Sequence, residues 1–157
     1  MENFSNNFLL SMPHLKDSIF SDSLIYICNH NIESGAMGII INKPMPVKNM
    51  DNILKEIGLE QLKPQLGIYF GGPVDMGVGM FLHDQHYKTK GTLNISNSIS
   101  LSSNIKIIND IKSGGGPEKF KFALGYAGWD KGQLEKEIEN GDWLLVPSND
   151  ELIFNEN

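Results

Sequence analysis

The chain contains no arginine. All 13 of its basic residues are lysine, they stand against 19 acidic residues, and the formal net charge is −6. Arginine supplies the planar fork that grips phosphates and guanine edges at two points. Net negative charge also repels a polyanion at long range. Recognition of nucleic acid is therefore disfavoured, and no nucleic-acid partner is expected. Asn, Ile and Lys are abundant, so the codon bias of an A·T-rich genome accounts for the missing arginine, with the same consequence for binding. There is a single cysteine, Cys28, and no internal disulfide can form. No apolar run approaches the roughly 18 residues of a membrane span. Residues 1–7 are polar and place no basic region before the short apolar stretch, so a secretory signal is not expected. A cytoplasmic protein without membrane contact is the natural expectation. A serine nucleophile elbow, a paired-cysteine metal motif and an acidic metal cluster are all missing as well. No metal and no cofactor are expected.

What is present is a globular composition. The chain has 157 residues, 40% hydrophobic and 20% charged, which suits one domain with a sizeable core. Only its polar ends, outside about residues 8–154, are expected to fray. Four short runs, 24–28, 38–41, 68–70 and 143–146, are continuously apolar and bounded by Gly, Pro or Asn. They predict strands covered on both faces. Residues 120–126 alternate Phe120, Phe122, Leu124 and Tyr126 with smaller or polar residues, which predicts a strand with one drier face. Residues 93–101 alternate too, with a break at Asn97–Ser98. Weaker strand signals cover 9–12 and 79–83. Helices are predicted over 50–57, with Asn49 as cap and Gly58 as stop, and over 105–112, capped by Ser103 or Asn104. A third begins behind Asp130, with Gln133 completing a capping box, and a last turn covers 150–154. Strands outnumber helices without regular alternation. The expected fold is α+β: one domain with a mainly antiparallel or mixed β-sheet covered by a few short helices.

Several groups invite a chemical reading. Cys28 and His30 lie two apart on a predicted strand, so they share a face. A cysteine nucleophile with a histidine base needs that proximity; a small buried cysteine ending an apolar strand is the alternative. His83 and His86 flank Asp84 in HDQH, but residues three apart on a strand face opposite sides, short of the three or four ligands zinc requires. Gly114–Gly115–Gly116–Pro117 leaves a helix C-terminus, whose partial charge repels phosphate, and reads as a helix stop. Gly77 and Gly79 form only a fragment of a dinucleotide fingerprint. Gly71–Gly72–Pro73–Val74 follows a strand and would let a ligand approach the backbone, or simply turn the chain. Asn42–Lys43–Pro44 ends the most apolar strand, where ligand contact and strand termination are both served. If there is one shared site, Asn42, Lys43, Gly71, Gly72, His83 and Tyr126 are the candidates to line it. His83 would serve as a proton-transfer group.

Longer stretches carry a family resemblance. Residues 8–13, YIC at 26–28 with His30–Asn31, GAMGIIINKP at 35–44, GGPV at 71–74, Leu82–His83, ALGYAGW at 123–129, GQLE at 132–135 and WLLVP at 143–147 resemble the bacterial AlgH/YqgE family, in order and from about Phe8 to Phe154. The resemblance implies a cytosolic bacterial protein with an α+β fold. It implies no particular activity, although the alginate link in one member's name suggests a regulator. Three features depart from the family. Val78 stands where arginine is usual, and Asn104–Ile105–Lys106 stands where Ser-Arg-Asp is frequent. The amphipathic helix that many members carry past the position of Phe154 has no counterpart.

The reading favoured on these grounds is a non-enzymatic binding or regulatory domain for a small molecule or a protein partner. The alternatives are an enzyme working through His83 or the Cys28–His30 pair, and a transcriptional regulator, which the charge disfavours. Phosphate contacts require clustered cations and give steep salt dependence, whereas these lysines are scattered. Random duplex DNA is accordingly expected to show no mobility shift at micromolar protein and physiological salt. A salt-sensitive shift would contradict this reading.

Overall fold

Nine strands joined edge to edge take up the apolar runs. The computed structural model describes residues 3–15, 18–59 and 67–154; the outermost residues of the polar ends are not among them. In chain order these residues form β1 (Asn7–Ser11), a 3-10 turn (Pro13–Leu15), β2 (Leu24–Asn31), β3 (Gly35–Ile40), α1 (Val47–Ile57), β4 (Ile68–Phe70), β5 (Val74–Asp84), β6 (Leu93–Asn94) and β7 (Ile99–Ser102). Then come α2 (Lys106–Ser113), β8 (Phe120–Trp129), α3 (Gln133–Glu139), β9 (Trp143–Pro147) and α4 (Asp150–Phe154). The sheet order is β6-β7-β5-β8-β3-β2-β1-β9, with β4 added beside β8. Every pairing is antiparallel except β4 with β8. The fold is α+β, a single domain built on one curled sheet with four short helices.

β8 is the hub. Its residues 120–126 pair with β5, 122–124 with β4 and 127–129 with β3. A strand with neighbours on both sides and layers on both faces has no wet face. Phe122 packs with α1 and α2 residues, while Lys121 and Ala123 are buried on the opposite face. The single drier face expected for 120–126 is thus replaced by burial on both.

Three apolar clusters fill the layers. One lies inside the curl and holds Phe8, Tyr26, Ile39, Tyr69, Leu82 and Ala123, with Ile153 of α4 closing it. A second, under α3, holds Leu9, Ile25, Ile27, Trp129, Leu134 and Trp143. The third, under α1 and α2, holds Leu54, Ile68, Phe81, Ile107 and Phe122. Of the stripe predicted for α1, Leu54 is fully buried and Ile53 and Ile57 pack against the same cluster. The side chain of Met50 lies outside the described set. α1 begins three residues before Met50, directly behind Pro46 and with no side-chain cap, so the expected Asn49 cap is not used. Proline's fixed φ suits a helix entrance without a capping side chain.

α3 is tied to the sheet by one carboxylate. Glu137 Oε1 accepts the indole N–H of both Trp129 and Trp143 at 3.0 Å, and Oε2 accepts from Gln133 at 2.8 Å. The two indoles meet edge to face, 6.1 Å between ring centroids. Gln133 also reaches back to the Asp130 N–H at 2.9 Å, the returning half of the expected capping box. Trp143 is 4% exposed. Trp143→Ala is expected to cost about 3–5 kcal/mol in urea unfolding. Glu137→Ala, which strips two indole N–H groups of their acceptor, is expected to cost about 1–3 kcal/mol. A loss under about 1 kcal/mol for Trp143→Ala would show that its ring does not hold the core.

Candidate functional site

A cavity of about 940 Å³ opens between β4, the start of β8, the turn after β5 and α4. Tyr69 and Lys121 form its inner wall, and Asp84, His86, Asp150 and Phe154 stand around them. Lys121 is drawn inward because it occupies the inner face of the hub strand. Its ammonium donates to the Ile41 carbonyl at 2.8 Å and lies 4.1 Å over the Tyr69 ring centroid, a cation–π contact. Asp84 fixes the turn: its two carboxylate oxygens accept the backbone N–H of His86 at 3.0 Å and of Lys119 at 2.9 Å. Asp150 accepts from the Ser98 hydroxyl, which ties α4 to the turn before β7. Gly114, Gly116 and Pro117 also line the cavity. Gly114 closes α2 in the left-handed conformation, as a helix stop should.

Cys28, His30 and His83 lie elsewhere. Cys28 is buried among the inner cluster, and burial pushes its thiol well above the ordinary range. His30 does not face it. The register of β2 against β3 shifts between Ile27 and Asn29, and the extra residue of a β-bulge turns the later side chains to the other face. His30 therefore stacks on Phe4, 4.6 Å between centroids, and meets Glu135 of α3 at 2.9 Å. Its Nδ1 accepts the Phe4 N–H at 3.0 Å, which assigns the proton to Nε2. The shared face expected for Cys28 and His30 is removed by that bulge.

His83 is fully buried on the helix-covered side of β5, edge-on to Tyr87. Its Nδ1 lies 2.7 Å from the Asp84 carbonyl, which can only accept, so Nδ1 carries the proton. Nε2 then accepts from the Ser102 hydroxyl at 2.8 Å, and Ser102 in turn accepts from Thr92 at 2.7 Å. This Ser–His contact has the polarity of a nucleophile and its base, but Ser102 is 1% exposed. His86, by contrast, is exposed in the turn. Among the described residues no three His, Cys, Asp or Glu side chains form a metal-binding group.

The six sequence candidates are brought together only in part. Asn42, Lys43, Gly71 and Gly72 meet where β3 parts from β8. Asn42 accepts from the Leu24 N–H and donates to the Asp22 carbonyl, each at 2.9 Å. Lys43 reaches the Ile19 carbonyl at 3.3 Å. Gly71 spends both backbone groups, donating to Leu124 and accepting from Ile40, so its N–H is not bared to a ligand. Tyr126 lies beside them and lines a second, shallower cavity of about 560 Å³ with Met37, Val74 and Trp129. His83 pairs with Phe120, six residues along β8 from Tyr126, a separation of about 20 Å. Asn42, Lys43, Gly71, Gly72 and His83 line neither of these cavities. Lys121 and Tyr69 escaped sequence reading. The one available signal was a lysine between two phenylalanines in a strand too apolar to be an edge.

The fold and its packed interior define a small α+β domain with an open cavity beside Tyr69 and Lys121. The chain belongs to the AlgH-like family (DUF179), whose profile matches residues 8–157. It is 42% identical to a UPF0301 protein of Marinomonas sp. (strain MWYL1) over 98% of this chain and 82% of that one. It is also 42% identical to one from Agrobacterium fabrum, covering 96% and 79%. Among solved structures it is similar to the AlgH protein of Pseudomonas aeruginosa, with TM-score 0.82, 32% identity and coverage of 98% and 82%. Protein DIP2367 of Corynebacterium diphtheriae shares the fold, with TM-score 0.73 at 22% identity. The chain thus spans about four-fifths of the length of these relatives. No helix among the described residues is long and apolar enough to cross a membrane.

Burial holds the His83 imidazole below its ordinary range, against the opposing pull of Asp84. The unfolded chain therefore takes up a proton near the ordinary value of 6.5 that the folded protein resists. Stability from this group is complete above that pH and is lost as the pH falls below it. Urea unfolding is expected to weaken between pH 7.5 and pH 5.5 by more in the native chain than in His83→Gln, values chosen to bracket roughly one unit on either side. Equal slopes would show that His83 does not carry the effect.

Proposed function

We propose that the protein is a non-enzymatic binding domain and that a small polar molecule occupies the cavity beside Tyr69 and Lys121. One observation carries this reading. The nucleophile and the two buried bases are committed to interior hydrogen bonds or apolar packing, and none of Cys28, His30 and His83 lines the 940 Å³ cavity. A general base has to come within hydrogen-bond reach of its substrate, and these side chains would have to leave the core to do so. The cavity has the mixture that binding sites use, apolar walls with a few fixed polar groups. Ile99, Phe120 and Phe154 give the walls, while the Lys121 ammonium, the Ser98 hydroxyl and the Asp84 and Asp150 carboxylates give direction. A regulatory role would follow if the bound state alters contacts of α4, which forms one wall.

Thermal-shift screening against a panel of small polar metabolites, followed by amide chemical-shift mapping, tests the proposal. The expected result is a ligand that perturbs the amides of residues 67–69, 84–86, 98–99, 117–121 and 150–154 and is recovered unchanged. Turnover of the ligand that is lost in His83→Gln or Cys28→Ser would overturn the non-enzymatic reading. Perturbation confined to other residues would overturn the cavity assignment.

A further inference from the structure

The sheet ends at β9, and nothing pairs with the outer side of that strand among the described residues. The register sets the hydrogen-bond phase of this edge. Met12 donates to the Asp142 carbonyl, and β1 pairs with β9 in the register Leu10 to Leu144 and Phe8 to Val146. Bonded and non-bonded pairs alternate along an antiparallel ladder. Residues 142, 144 and 146 therefore bond to β1, as the donation of Ser11 to Ser23 on the other side of β1 also requires. The N–H and C=O groups of Trp143 and Leu145, and the carbonyl of Pro147, point away from the sheet.

Edge strands in monomeric proteins are commonly blunted by a lysine, an inward charge or a bulge. β9 reads Trp-Leu-Leu-Val-Pro, with no charge and no bulge, and only the terminal proline interrupts its donors. Its exposed side adds to this. Leu10 and Leu144 are directly opposite one another, 42% and 49% exposed, at the open end of the inner face.

We propose that β9 is a self-association edge, on which a second copy of this chain adds its own β9 antiparallel across a two-fold axis at Leu145. The register is self-complementary. Leu145 of each copy exchanges both backbone bonds with the other, and each Trp143 N–H donates to the opposite Pro147 carbonyl. The missing proline N–H falls at the end of the ladder, where it costs least. Leu144 of each copy then lies beside Val146 of the other, so the exposed Leu10–Leu144 row continues onto the apolar row of the second sheet. A uniform peptide edge would accept any strand. The pairing of Leu144 with Val146 favours a copy of this strand, because both face the same side and neither meets a charge. A five-residue edge falls short of the roughly 1,200 Å² of a stable interface, so the dimer is weak. Each copy also carries a net charge of −6, so raising the salt concentration strengthens the association by screening that repulsion.

Sedimentation velocity of the full chain from about 10 μM to about 1 mM tests this, a span chosen for a weak dimer with Kd on the order of 100 μM. A reversible dimer is expected, tighter at high salt, with the amides of Trp143 and Leu145 gaining exchange protection as concentration rises. Leu144→Lys is expected to weaken it about tenfold or more while the chain keeps its melting temperature, since the side chain is half exposed. Leu145→Pro is a second probe, because it removes an outward N–H without breaking a bond to β1. A chain that stays monomeric at about 1 mM overturns the proposal. So does a dimer indifferent to both substitutions, or one in which those two amides remain unprotected. Protection of the same amides by an extended peptide on a monomeric chain would assign the edge to a peptide instead.

Discussion

The architecture depends on a backbone crossing that only glycine allows. Gly71 and Gly72 leave β4 and wedge into the fork where β3 parts from β8. A Cβ on Gly72 would lie 2.1 Å from the carbonyl carbon of Tyr126, and one on Gly125 would lie 2.3 Å from the Gly72 oxygen. Both contacts are with backbone, so no rotamer change relieves them, and both glycines have positive φ. The fork has a consequence for the whole sheet. On one side of it β8 serves β3 and the α3 layer, and on the other it serves β4, β5 and the layer of α1 and α2. Ala123 faces the interior of the curl while Ala127 faces α3, so the strand changes face across Gly125. One strand thereby belongs to two differently covered parts of the same sheet.

The interior holds several polar groups that are satisfied by their neighbours. His83, Ser102 and Thr92 form a directed chain, His30 is held between a backbone N–H and Glu135, and Glu137 serves two tryptophans. Such networks specify one arrangement of layers, since an unmet buried donor costs about 1–3 kcal/mol. They also account for residues that look reactive in the linear sequence. A histidine whose two nitrogens are both engaged inside a packed layer has no free position for substrate. The geometry that resembles catalysis is here the geometry of satisfied burial.

Much of the fold was legible because the runs at 24–28, 38–41, 68–70 and 143–146 are short, apolar and bounded by breakers. The structure turns each of them into strand over most of its length, but 143–146 becomes the edge strand β9, with Leu144 49% exposed, where a strand covered on both faces was expected. The break at Asn97–Ser98 also separates β6 from β7 as read. What escaped prediction shares one cause, namely that period-two reasoning assumes a regular strand with known neighbours. The bulge in β2 sends Cys28 and His30 to opposite faces, and nothing local in ICNHN marks it. In the segment alone Lys121 belongs to the polar side of an alternating strand, because the central position of β8 is a property of topology and not of the segment. The acceptor role of Glu137 likewise needs β9 to bring Trp143 back to Trp129. Of the candidate site, the fork residues were legible as a neighbourhood. Their proximity came from the strand ends they occupy, while His83 was separated from them by the length of β8.

The distribution of charge narrows the range of partners. Thirteen lysines and no arginine leave the surface without a bidentate anion grip, and Lys121, the most buried lysine among the described residues, is turned inward to a carbonyl and an aromatic face. The cavity around it is bordered by Asp84, Glu118, Asp150 and Glu151 against Lys119 and Lys121. Such a rim discourages polyanions at the mouth. β9 has no charge at all, which leaves backbone hydrogen bonds and apolar side chains as its means of recognition. Two surfaces of opposite character, a charged cavity and an uncharged edge, therefore lie on one sheet, with β8 walling the first and β9 forming the second.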